Sequence, residues 1–105
     1  MMIIERGDKK TLYHRALNDN GGVIDLSGAD IEYLLLEKST DTSFVLKKSA
    51  DNVAEIKIVS SLKGLFNVYL TNDDTQDLDK NVYAVKIIIN GSDTINDIIK
   101  VRPYK

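Results

Sequence analysis

Through most of this chain apolar residues recur at every second position. That period belongs to the half-buried β-strand, whose successive side chains point to opposite sides of a sheet. In TLYHRAL, Thr11 to Leu17, the residues Leu12, His14 and Ala16 share one side. Ile31, Tyr33 and Leu35 do the same in IEYLLLEK, and Phe44 and Leu46 in SFVLKK, Ser43 to Lys48. Ile56 and Ile58 align in AEIKIV, Phe66, Val68 and Leu70 in LFNVYL, and Tyr83, Val85, Ile87 and Ile89 in NVYAVKIII. In TINDIIKVR, Thr94 to Arg102, the apolar parity changes between Ile95 and Ile98, and a bulge near Asn96–Asp97 is expected.

Turn chemistry separates these runs. Asn18 to Gly22 is rich in residues that tolerate positive φ, and Ser39–Thr42 and Ala50–Asn52 are short polar breaks. Asn90–Gly91 between two apolar runs is a two-residue hairpin signal, and Lys63–Gly64 opens a strand. The lone proline, Pro103, follows the last strand. Between Ile24 and Leu26, which point inward, and Gly28, which admits a bend, Asp25 and Ser27 are expected to tie down their own backbone. One segment reads as helical, TNDDTQDL from Thr71 to Leu78. Thr71 and Asp74 have capping-box spacing, Asp73 and Asp74 suit the positive end of the helix dipole, and Leu78 anchors the turn inward. Seven or eight short strands with one helical turn read as an all-β antiparallel sandwich or barrel, a single domain over residues 1–105, and one local detail favours the sandwich. Tyr83 follows Asp79 by four and precedes apolar Val85 by two. That is the spacing of the tyrosine corner before strand F of immunoglobulin-like domains, with Val85 where a disulfide stands elsewhere.

Composition narrows the chemistry. The 105 residues contain no cysteine, which removes disulfides, thiol nucleophiles and thiolate metal sites. A net charge of −2 provides no basic face for phosphate, so nucleic acid is not an expected partner. No apolar run reaches the length of a membrane span, and MMIIERGDKK lacks the apolar core of a signal peptide.

Catalytic candidates are sparse. His14 is the single histidine, and no nucleophile or orienting carboxylate accompanies it in a motif, so it reads as a structural or surface residue. Asp73, Asp74, Asp77 and Asp79 form an acidic cluster without the spacing or the glycine of a calcium loop, and capping accounts for it. Arg6-Gly7-Asp8 reads as a turn before the first clear strand, and Asn90-Gly91-Ser92 as a hairpin rather than a glycosylation site. No catalytic residue, metal or cofactor is expected, and no enzyme activity. One feature is left over. Leu34 and Leu36, and Val82, Ala84 and Ile88, lie on the side opposite the core set of their strands. An outer sheet face is ordinarily polar, so these five define a candidate protein contact face.

The order of motifs resembles a known family. RGDKKTL is followed by VIDLSGADI, a strand ending in Glu37–Lys38, VLKKS, GLFNVYLTNDDTQDL, the tyrosine strand NVYAVKIII and a last hairpin. This string is similar to the small immunoglobulin-like β-sandwich domains of tailed-phage and prophage structural proteins, and to the amino-terminal domain of phage baseplate upper proteins. The chain departs from that pattern at TNDDT, which lacks the family's proline at the first helical position, and at DKNVY, which lacks a proline and a glycine before the tyrosine. The resemblance implies a virion component of tail or baseplate, assembled in the cytoplasm of the bacterial host. Its partners would be other virion proteins or further copies of itself, with no membrane and no small-molecule ligand. The competing expectation is a carbohydrate-binding or adhesion module on the same fold. Such modules present exposed aromatics, whereas Tyr33, Phe44, Phe66 and Tyr83 are here expected to face inward.

Overall fold

The computed structural model describes residues 2–102 except 19, 39, 41 and 42, and for 92–95 the backbone alone. Eight strands and one short helix follow in the order β1 (Met2–Glu5), β2 (Lys10–Arg15), β3 (Ile31–Leu36), β4 (Leu46–Ser49), β5 (Ile56–Ser60), β6 (Leu65–Leu70), α1 (Asn72–Gln76), β7 (Val82–Ile89) and β8 (Ser92–Arg102). They form a five-stranded sheet, β1-β8-β7-β3-β4, and a three-stranded sheet, β2-β6-β5. Hairpins join β3 to β4, β5 to β6 and β7 to β8, and every other connection crosses between the sheets. This is the immunoglobulin-like arrangement, with the central strands of the larger sheet in the places of G, F and C and the smaller sheet in the places of B, E and D. The sheets are not wholly antiparallel as expected. β1 runs parallel to β8, pairing Met2 with Ile99 and Ile4 with Val101, because it lies along the sheet edge before the chain crosses over as β2.

The alternation read from the sequence builds the interior. Ile31, Tyr33, Leu35, Tyr83, Val85, Ile87, Ile89, Ile99 and Val101 face inward from the larger sheet, and Leu12, Ala16, Ile56, Phe66, Val68 and Leu70 from the smaller one. Leu26 and Leu78 close the ends of this core, with Ile24 packed against it. The hairpin of β7 and β8 turns on Asn90 at φ 53° and Gly91 at φ 82°, the two positive values that a type I′ turn demands. Gly64 opens β6 where a Cβ would stand 2.9 Å from the Ala16 carbonyl oxygen and 3.0 Å from that of Ile24, so a side chain would collide with backbone.

Three local ties fulfil the sequence reading. The Tyr83 hydroxyl accepts from the Lys80 backbone N–H at 3.1 Å and donates to Asp79 Oδ1 at 3.3 Å, completing the tyrosine corner. Thr71 Oγ1 accepts from the Asp74 N–H while Asp74 Oδ2 accepts from the Thr71 N–H, a reciprocal capping box that sets the start of α1. Asp25 Oδ1 accepts from both the N–H and the hydroxyl of Ser27, which holds the Asp25 carboxyl below the usual carboxylate range.

Other expectations shift. The bulge of β8 falls between Asp93 and Ile95, where the register slips opposite Ile87–Ile88, and not at Asn96–Asp97. Pairing is regular from Ile95 to Lys100, so Ile98 faces outward and Asp97 takes the side of Ile99. β4 begins at Leu46, and Phe44 before it is 51% exposed instead of joining the core. The break at Ser39–Thr42, apart from Thr40, lies outside the described residues, as does Pro103.

Candidate functional site

The outer face of the five-stranded sheet carries the feature that alternation alone left unexplained. Pairing sets Leu36, Ala84 and Ile98 side by side across β3, β7 and β8. The adjacent row sets Val82, Lys100 and Ile3 across β7, β8 and β1. Ile3, Val82 and Ile98 are each nearly half exposed, and Ala84 is half-buried. An aliphatic strip therefore crosses one end of this face. Leu36 has the same outward parity but is 2% exposed while standing outside the contiguous core.

Charges flank the strip. Lys47 on β4 meets Glu32 on β3 at 2.7 Å, and the hydrogen bond and charge of Glu32 raise the Lys47 ammonium above its ordinary range. Arg102 on β8 meets Glu5 on β1 at 3.0 Å. Of the five candidate residues, Leu36, Ala84 and Val82 come together. Leu34 lies between Lys47 and Lys86, and Ile88 is opposite Glu32 toward the other end of the sheet, so these two belong to a more polar surface. Ile3 and Ile98 complete the strip and were missed. Only the pairing of Ile98 with Ala84 and of Ile3 with Lys100 places these two on this face.

His14 lies on the inner side of β2, between the rings of Phe66 and Tyr33 at centroid distances of 5.2 and 5.5 Å. Burial lowers its pKa, with the Asp97 charge acting in the opposite sense. The same burial, reinforced by Asp97, pushes the Tyr33 hydroxyl well above its ordinary range. His14 Nε2 and the Tyr33 hydroxyl oxygen are both buried without a hydrogen-bond partner. A general base must reach the proton that it takes. This ring instead packs against two aromatic neighbours inside the sandwich.

The Arg6-Gly7-Asp8 turn is part of a joint. The Gly7 carbonyl accepts from Asn72 Nδ2 at 2.9 Å, the Asp8 carbonyl from Thr75 Oγ1 at 2.8 Å, and Arg6 Nε donates to the Gln76 carbonyl at 3.1 Å. The tripeptide thus clamps α1 to the β1–β2 connection and lines a cleft of about 630 Å³ with Gln76 and Asp77. The acidic cluster is likewise dispersed into structural duties. Asp74 caps α1 and meets Lys48 Nζ at 2.6 Å, and Asp79 serves the tyrosine corner. Burial alone would raise the Asp74 pKa, but the bonds from Lys48 and Thr71 and the lysine charge hold it below the usual range. Among the described residues no three acidic or histidine side chains converge as metal ligands, and no helix is long and apolar enough to cross a membrane.

Neither a scan of protein-family models nor a search of curated proteins returned a match to this chain.

Proposed function

We propose that this domain is a non-enzymatic structural component of a tailed-phage or prophage particle, in the tail or baseplate, and that it works by fitting the outer face of its five-stranded sheet against a neighbouring protein. The observation that carries this reading is the strip formed by Leu36, Ala84 and Ile98 with Val82 and Ile3. Three of these side chains are nearly half exposed. Aliphatic surface of this kind gains about 25 cal/mol for each Å² removed from water, and flanking ion pairs supply orientation more than affinity. The order of motifs from RGDKKTL to GLFNVYLTNDDTQDL supplies the assignment to a particle.

The experiment is particle incorporation. Particles are purified from an induced culture of the strain that carries the gene, and their protein content is read by mass spectrometry. The chain is expected in them at stoichiometric copy number, and an Ile98→Asp/Val82→Asp variant that remains folded is expected to be missing. Particles devoid of the chain would remove the reading.

A carbohydrate-binding module is the second reading. It is favoured by Tyr13, 71% exposed on the outer face of the smaller sheet, where it pairs with Asn67 while Tyr69 pairs with the adjacent Thr11. Ring faces of this kind stack on sugars. Glycan-array binding that Tyr13→Ala abolishes would establish it over the first.

A further inference from the structure

Each sheet of an open sandwich ends in two edge strands, and unpaired strand edges recruit other strands unless they are blunted. Three of the four edges here are blunted. β1 and β4 have four residues each, and β5 carries a register shift between Ile58 and Ser60. β2 differs, with six residues paired without interruption to β6 from Lys10↔Leu70 to Arg15↔Leu65.

Its hydrogen-bonding parity follows from the bonds at its margins. The Ala16 N–H donates to Gly64, and the Tyr69 N–H is turned toward Glu55 beyond β5. The even-numbered residues of β2 therefore bond to β6, and the amides and carbonyls of Thr11, Tyr13 and Arg15 point away from the sheet. Beside them, Met2 and Ile3 of β1 and Lys10 to Tyr13 of β2 line a cleft of about 270 Å³, where the two sheets part. In an immunoglobulin-like sandwich the sheet containing B, E and D also holds a strand A beside B, and that is the position left open next to β2.

We infer that the free edge of β2 is a strand-docking site for an extended acidic segment of another protein. Such a segment would extend the smaller sheet to four strands by backbone pairing, with alternate apolar side chains entering the cleft at Met2 and Leu12. Charge selects the occupant. Lys9, Lys10 and Arg15 are exposed along this edge, and none makes a side-chain hydrogen bond or ion pair among the described residues. Antiparallel self-pairing of β2 would set Lys9 and Lys10 of one copy alongside Arg15 of the other, which disfavours a second copy as occupant. Carboxylates on the outward face of an incoming strand would meet Lys9 and Arg15, while Lys10 stands at the cleft on the other face. This site is separate from the outer-face strip, so either can fail while the other stands.

The test uses a synthetic peptide of alternating valine and glutamate, long enough to lie along β2, with a valine–lysine peptide as control. Amide hydrogen exchange is followed residue by residue. The acidic peptide is expected to slow exchange at Thr11, Tyr13 and Arg15, while the basic one leaves it unchanged. Tyr13→Pro deletes an outward N–H that the fold does not use, and it should abolish the protection. The Lys9→Glu/Arg15→Glu pair, which leaves the backbone intact, should weaken binding on the order of tenfold. Absence of protection by the acidic peptide would overturn the proposal, as would protection confined to β5 or β4 or equal binding of the two peptides. Protection of the same amides at high protein concentration without peptide would assign the edge to a second copy and overturn it too.

Discussion

The sandwich has two outer faces built by one rule, and they carry different side chains. On the smaller sheet the outward positions are Thr11, Tyr13 and Arg15 on β2, Leu65, Asn67 and Tyr69 on β6, and Lys57 on β5, where Val59 is also exposed. Polar side chains there separate the aliphatic ones, so no apolar row crosses the sheet. Across the larger sheet the outward row Leu36–Ala84–Ile98 has no polar member, and the next row adds Val82 and Ile3 on either side of Lys100. Both sheets bury their other face equally well, with Phe66 and Val68 on one and Tyr33 and Ile87 on the other fully enclosed. Core formation therefore does not require the aliphatic strip. A difference that the fold does not need is where an interface is to be sought.

The comparison can be broken or sharpened by substitution. The largest effect is expected inside, where both faces share one core. Phe66→Ala removes an enclosed ring and should cost about 3–5 kcal/mol in urea unfolding, with both sheets lost together. Separate loss of one sheet would mean that the two faces rest on separate cores. Asp74→Ala removes the reciprocal half of the α1 capping box and leaves the largely buried Lys48 ammonium without its partner, so a loss of about 3 kcal/mol is expected by the same assay. Tyr83→Phe deletes the corner hydrogen bonds alone and should cost about 1 kcal/mol.

A pH effect comes next. The folded-state pKa of His14 lies below its unfolded value of 6.5, so the unfolded chain binds the proton more readily. Stability from this group is complete above about pH 6.5 and is lost as pH falls toward the depressed folded value. His14→Phe should flatten that part of the profile, measured as unfolding midpoint against pH. The smallest stability effect is expected outside. Ile98→Asp and Val82→Asp should each change stability by no more than about 0.5 kcal/mol, because neither residue belongs to the core.

Much of this architecture was legible from period and turn chemistry. The inward sets of β2, β3, β6 and β7, the Asn90–Gly91 turn, the capping box and the tyrosine corner are local patterns, and local physics decides them. What failed depended on partners distant in sequence. Two consecutive isoleucines, Ile98 and Ile99, are consistent with either parity, and only the pairing of β8 with β7 locates the bulge. Phe44 looks like a core residue by type, yet the strand starts two positions after it. The parallel seat of β1 on β8 has no local signature at all. For the contact face, Leu34 and Ile88 have the same outward parity as Ala84. Their cross-strand neighbours Lys47, Lys86 and Glu32 separate them from the strip, and neighbours of that kind are set by register rather than by period.

The most direct measurement returns to the strip itself. Wild-type chain and the Ile98→Asp/Val82→Asp variant, matched for unfolding midpoint, are expressed in the induced host, and each is quantified in purified particles. The account predicts that the wild type is incorporated while the variant stays in the soluble fraction, folded and unassembled. Incorporation of the variant at the wild-type level would contradict it.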